Sequence, residues 1–300
     1  MSHQLSLFPS HELPETKDFM SDGELCALDE MFAASQSLRD PLQYCDLLQF
    51  IARFPQYSPF NALLLYLQNP RLTYIATAGN WLKRFGRHPK KSARPLIILA
   101  PMSPIRFVYD IEDTEGKVFP AALMKPETAT DAQVADMFEK TVHNCAIQGI
   151  SVRELAVVQQ STQSAIQLTD DIRRRYPSLD LDAKMSYLIL LDSDHAVADK
   201  YAALVYEIGR IFCGHQGRDQ NAWWHDRQRS SATVKAIETN SAAYLVCQRS
   251  GLFKHAAKHL NQMSSADSFI PPIGFNAVLQ SAHHIERMGK SLWKKLQKRP

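Results

Sequence analysis

No apolar run in the chain approaches the ~20 residues that a membrane-crossing helix needs, so a helical membrane protein is excluded. Glycine is scarce, at 11 of 300 residues, and none are grouped as a phosphate-cradling loop. The five cysteines, Cys26, Cys45, Cys145, Cys213 and Cys247, are odd in number, scattered, and contain no C-x-x-C pair. That spacing argues against a disulfide framework or a cysteine-rich zinc site, and reads as reduced, mostly buried thiols of a cytoplasmic protein. A large excess of one charge is also missing: the net value of +3 is too small to indicate nucleic acid by itself. Residues 1–22 are polar and contain proline, without the basic start and apolar segment of a signal peptide.

What remains is ordinary for a soluble globular protein: 45% apolar and 22% charged residues, long enough for one large domain or two moderate ones. Residues 1–22 read as a loose arm. Residues 23–54 read helical, broken at Asp40-Pro41. Ser58 and Pro59 form a helix start, with Ser58 as cap and proline in the first helical position. That helix stops at Asn69-Pro70. Residues 95–100 and 105–111 read as two strands around a proline-containing turn. Residues 120–130 read as a linker, followed by a helix over 131–146. Strands are expected at 152–158, 165–168 and 186–191, and helices over 197–213 and 233–249. Two shorter helical stretches complete the chain, the last beyond Pro271-Pro272. The fold class is α+β, with a helical and small-strand unit over 23–119 and a second unit over 131–300.

The segment that carries chemistry is 201–217, YAALVYEIGRIFCGHQG. A zinc-protease helix reads H-E-x-x-H, with two histidines one turn apart on one face and a glutamate as general base. Here the pentapeptide is Tyr206-Glu207-Ile208-Gly209-Arg210. The glutamate is present at the base position, but Arg210 has no lone pair to donate and Tyr206 is a phenol of ordinary pKa about 10. Arg210 lies three residues after Glu207, a spacing that lets the two meet, and it is also a candidate to face Glu238 from the later helix. In that arrangement its guanidinium stands at the metal position and ties the helices together. Cys213, His215 and His225 are chemically able to hold zinc elsewhere. His283-His284 reads as a solvated helix face.

A basic segment, Lys83, Arg84, Arg87, Lys90, Lys91 and Arg94, follows Trp81, with Tyr74 and Phe85 nearby. Cations beside aromatic platforms are what single-stranded nucleic acid requires. The alternative is a solvated loop between helix and strand. A second basic group, Lys290, Lys294, Lys295, Lys298 and Arg299, ends the chain.

Two segments resemble known families. The strand SYLILL followed by VYEIGRIFCGHQG, with the later helix AIETNSAAYLVC, is similar to the ImmA/IrrE family of zinc metallopeptidase-like proteins. Residues 57–113, with Ser58, Asn61, Leu64, Leu65, Trp81, Gly86, Arg87 and the following strand, resemble the ArdC-type single-stranded-DNA-binding segment. The resemblance implies a zincin-like second domain, a link to mobile elements, and a protein partner such as a transcriptional repressor, with single-stranded DNA as another. It places the family's metal ligands on Tyr206, Arg210 and either Ala236 or Glu238. If the first glutamate of the acidic helix is the third ligand, all three ligands are gone; if the second is, only Glu238 is left. Catalytic zinc takes three protein ligands and an open water position, and without it Glu207 has no activated water to deprotonate. The expectation is therefore a degenerate, metal-free module, with zinc as cofactor only if unusual ligands serve.

Overall fold

The computed structural model describes residues 29, 32, 38–100, 103–156, 164–168, 182, 184–219, 222–264 and 269–294. The expected arm over 1–22, most of the helical reading over 23–37 and the proline turn at 101–102 lie outside these residues. Mixed helices and small sheets make it an α+β protein. None of the described helices is long and apolar enough to cross a membrane.

The first half opens with α1 (Pro41–Ala52) and α2 (Pro59–Gln68). Each starts where the sequence marks it: Asp40 accepts the Gln43 amide and Ser58 accepts the Asn61 amide, with proline in the first turn. Strand β1 (Ile75–Ala76) leads into α3 (Ala78–Phe85), a helix the sequence reading left out. It is capped by Thr77 and ends at Gly86, which takes φ 60°. Next come β2 (Arg87–Pro89), β3 (Leu96–Ala100), β4 (Ser103–Asp110) and β5 (Thr114–Gly116). β4 pairs antiparallel with β1 and β3, and β2 pairs with β5. The edge of β3 is covered by side-chain amides of α2. Asn61 bonds both the N–H and C=O of Leu99, and Gln68 does the same for Ile97. Two amides thereby act as a surrogate strand and blunt the edge.

The second half begins at α4 (Asp131–Ile147), entered through a Thr130/Gln133 capping box. Strands β6 (Ile150–Leu155), β7 (Ser164–Gln167) and β8 (Tyr187–Asp192) form a sheet of order β6-β8-β7, with β6 parallel and β7 antiparallel to the centre. Four helices follow: α5 (Val197–Phe212), α6 (Ala232–Arg249), α7 (Phe253–Ser264) and α8 (Phe275–Lys290). One apolar core runs across the 120–130 stretch, joining Leu47, Ile51 and Leu65 of the first half to Ile211, Leu245 and Val278 of the second.

A buried ion pair holds the helices at the centre of that core. Arg249, in the last turn of α6, pairs with Glu286 of α8. Its guanidinium also donates to the carbonyls of Ile51, Phe54 and Tyr57, at 2.9, 3.1 and 2.5 Å. These carbonyls lie at and beyond the end of α1; those of Ile51 and Phe54 also accept the Phe54 and Tyr57 amides, so the guanidinium is an added donor there.

Candidate functional site

Helix α5 presents the YEIGR segment toward α6 and α7. Glu207 is buried, and Arg210 Nη1 donates to its Oε2 at 2.8 Å. The i,i+3 pair read from the sequence is therefore made. Tyr206 stacks on His259 of α7, ring centroids 5.7 Å apart and planes within 7°. Burial pushes the Tyr206 hydroxyl above its ordinary pKa, so it is a neutral phenol and no anionic ligand. His259 Nδ1 lies 2.8 Å from Asn240 Oδ1, while the Asn240 amide nitrogen donates to the Ala236 carbonyl. Burial drops His259 to about 4, leaving it neutral, with Nδ1–H donating to the asparagine oxygen. Ala236 is exposed and has no donor atom. The residues at the resembled zinc position, a stacked phenol, a guanidinium and an alanine, do not fit the metal.

Glu238 corrects the expected bridge. It lies two residues beyond Ala236 and is fully buried. Its carboxylate is held by Arg227, Nη1 to Oε2 at 2.9 Å and Nη2 to Oε1 at 2.5 Å. His215 Nε2 lies 2.7 Å from Oε2, and the Gly274 amide donates to Oε1 at 2.7 Å. The cation that joins segments at this glutamate is therefore Arg227, from the loop between α5 and α6. Arg227 reaches this position because its own amide bonds the Gly214 carbonyl at 3.0 Å. Gly214 has φ +79°, and a Cβ there would meet the His225 carbonyl at 1.9 Å. Gly274 has a related constraint: a Cβ would lie 2.0 Å from Arg227 Nη1.

Of Cys213, His215 and His225, two converge. Among the described residues Cys213, His215 and Glu238 are a group whose potential ligand atoms lie within 4.8 Å of one another. His225 is exposed and stands instead on the wall of a small cavity, about 60 Å³, together with Asp29, Cys213, Trp224, Arg227 and Asn276. Burial, opposed by its neighbours, raises the Asp29 carboxyl. Burial also lowers His215 below its ordinary value and pushes the Cys213 thiol to about 12.

The basic segment is only partly a surface. Trp81 is buried, its indole N–H donating to the Tyr109 carbonyl at 2.9 Å, in a small core with Tyr74, Phe85 and Phe119. It cannot be the expected stacking platform. Arg87 is spent on the β2–β5 pairing, donating to the Thr114 hydroxyl and carbonyl at 2.9 and 2.7 Å. Lys90 donates to the Glu112 carbonyl at 2.6 Å. Lys83, Arg84, Lys91 and Arg94 are exposed. In this half of the chain Phe107 faces outward, on the open side of the β3–β4 hairpin with Ile97, Leu99 and Ile105, all 40–49% exposed. The sequence reading named this strand and not its exposed face, because alternation alone does not say which side a core covers.

His283-His284 is not a solvated face. The His284 ring stacks on Trp223 at 4.5 Å and meets Phe212 and Trp293 edge-on.

No protein-family model matches the chain, and no curated protein matches it significantly. Two solved structures are similar: the antirestriction protein ArdC from plasmid R388 in its Mn(II)-bound and metal-free forms. The first shares 14% identity at a TM-score of 0.35, over 83% of this chain and 98% of that one. The second shares 13% at 0.33, over 81% and 93%.

Proposed function

We propose that the chain is a non-catalytic binding or regulatory module whose metallopeptidase-like helix keeps the base position but uses Arg210 where a metal would stand. The observation that carries this reading is the 2.8 Å pair between Arg210 and the buried Glu207 carboxylate. A guanidinium cannot lower the pKa of a water or polarise a carbonyl as a bound Lewis-acid metal does, so Glu207 has no metal-activated nucleophile to generate. Its partner makes it a structural anion. The zincin-like character of the second half and a protein partner, such as a transcriptional repressor, belong to this proposal through the sequence resemblance.

The test is Arg210→Ala. Removing the guanidinium that bonds the buried Glu207 carboxylate is expected to cost about 1–3 kcal/mol, read as a lower urea midpoint. Neither wild type nor variant should cleave a mixed peptide library with zinc supplied. Hydrolysis that disappears in Glu207→Gln, or an Arg210→Ala protein as stable as wild type, sinks the reading.

A second reading, single-stranded nucleic acid, is supported by the outward Phe107 on a hairpin entered from Lys91 and Arg94. Phosphate contacts make such binding salt-dependent, and aromatic stacking adds about 1–3 kcal/mol per base. Fluorescence anisotropy with a short oligothymidylate at low salt should show binding that weakens with added salt, with Phe107→Ala and with the Lys91→Gln/Arg94→Gln pair. No binding at low salt, or binding indifferent to all three, removes this reading.

A further inference from the structure

We propose that Cys213, His215 and Glu238 form a binding site for a borderline-soft divalent metal such as zinc, closed in this structure by Arg227 as a displaceable cation. This goes beyond the reading of the YEIGR helix and uses none of its residues.

A sulfur, an imidazole nitrogen and a carboxylate oxygen are a zinc-type donor set. Their ligand atoms fall within 4.8 Å of one another; ligands around a tetrahedral zinc with bonds of about 2.0–2.3 Å stand about 3.3–3.8 Å apart, so the set closes on a metal with side-chain shifts of about 1 Å. Each donor also has an outer partner of the kind that orients metal ligands. Thr239 Oγ1 sits 3.2 Å from His215 Nδ1, which leaves Nε2 as the atom directed at Glu238. Ser281 Oγ lies 3.4 Å from Cys213 Sγ. The Gly274 amide holds the far oxygen of Glu238.

Charge accounting points the same way. In the closed state Arg227 balances Glu238, with the thiol and the imidazole neutral. In the loaded state the dication balances the carboxylate and a thiolate. In the closed state Nε2–H of the neutral imidazole donates to Glu238; the exchange is M²⁺ plus Cys213–SH giving the M–S bond and one proton released to water, with the imidazole proton moving from Nε2 to Nδ1 on the Thr239 side so that Nε2 can bind the metal, while Arg227 leaves. The buried site is neutral before and after, so neither state carries an uncompensated buried charge. The cavity gives both species a route. It is walled by Cys213 and Arg227, and its volume of about 60 Å³ holds an ion and a few waters. Asp29 stands on the same wall within electrostatic reach of Arg227, ready to receive the guanidinium.

The experiment is a Co(II) titration of the full-length, untagged protein, following thiolate-to-cobalt charge-transfer absorbance in the near ultraviolet. The band should saturate at a single equivalent, vanish in Cys213→Ala, and be competed away by Zn(II). Arg227→Gln removes the competing cation and keeps a donor for Glu238. It should bind about tenfold tighter or more, because no buried cation has to be expelled. A wild type with no band at millimolar Co(II), or a band unchanged in Cys213→Ala, overturns the proposal. So does weaker binding in a folded Arg227→Gln protein. Should that variant not fold, the comparison of wild type with Cys213→Ala decides alone.

Discussion

Replacing Arg249 with alanine is expected to lower the unfolding free energy by about 3–5 kcal/mol, the cost of leaving one half of a buried ion pair uncompensated. The side chains of Arg249 and Glu286 are 1% and 5% exposed. Removing the guanidinium strands the Glu286 carboxylate, whose other cation, Lys290, is 3.9 Å away and largely in solvent. It also takes a charged donor away from the carbonyls of Ile51, Phe54 and Tyr57, the first two of which keep a backbone amide. Those carbonyls belong to the first half of the chain, while Arg249 and Glu286 belong to the second. The loss should therefore loosen the joint between the halves as well as one helix end. Against a typical total stability of about 5–15 kcal/mol, this is a large fraction. Denaturant unfolding would show a lower midpoint. Arg249→Lys should fall between wild type and alanine, since one ammonium cannot serve a carboxylate and three carbonyls in a fixed fork. Arg249→Met with Glu286→Leu should recover much of the loss, because no buried charge is then unpaired. An alanine variant within about 1 kcal/mol of wild type would show that the pair adds little, as many exposed pairs do.

The features readable from the sequence are those set by neighbours in the chain. Ser58 before Pro59 places a helix start to the residue, because a cap needs only the first turn. The Glu207–Arg210 pair was legible for the same reason, one helical turn apart. Glu238 was not. Its cation comes from eleven residues upstream, through a loop whose path depends on the left-handed Gly214, and no periodicity reports on that. His259, which stacks on Tyr206, and Asn240, which bonds that histidine, were missed although Asn240 lies one turn after Ala236 on the same helix. The missing signal was the identity of the facing helix α7. The basic segment was misread in the other direction. Trp81 and Arg87 carry the residue types of a nucleic-acid surface, and the β4 and β5 strands capture them for structure.

Acid should unfold this protein well before its carboxylates are fully protonated. Burial lowers His259 and His283 to about 4 and His284 to about 3 from an ordinary 6.5, and it lowers His215 as well. A depressed histidine stays neutral in the folded state while the unfolded chain takes up a proton. The stability is then complete above pH 6.5 and lost as the pH falls toward about 4. At pH 5 each strongly depressed histidine withdraws on the order of 1–2 kcal/mol, and three of them act in the same window. The physical origin is specific for His284, whose half-buried ring is packed against Trp223, Phe212 and Trp293 in place of water. Urea midpoints should drop steeply between pH 7 and pH 5. His284→Phe keeps the stacked ring and removes one titrating group, so it should match wild type near pH 7 and exceed it at pH 5. If the variant loses stability with the same slope as wild type over this range, His284 does not take up a proton on unfolding, and the acid sensitivity lies in the carboxylates.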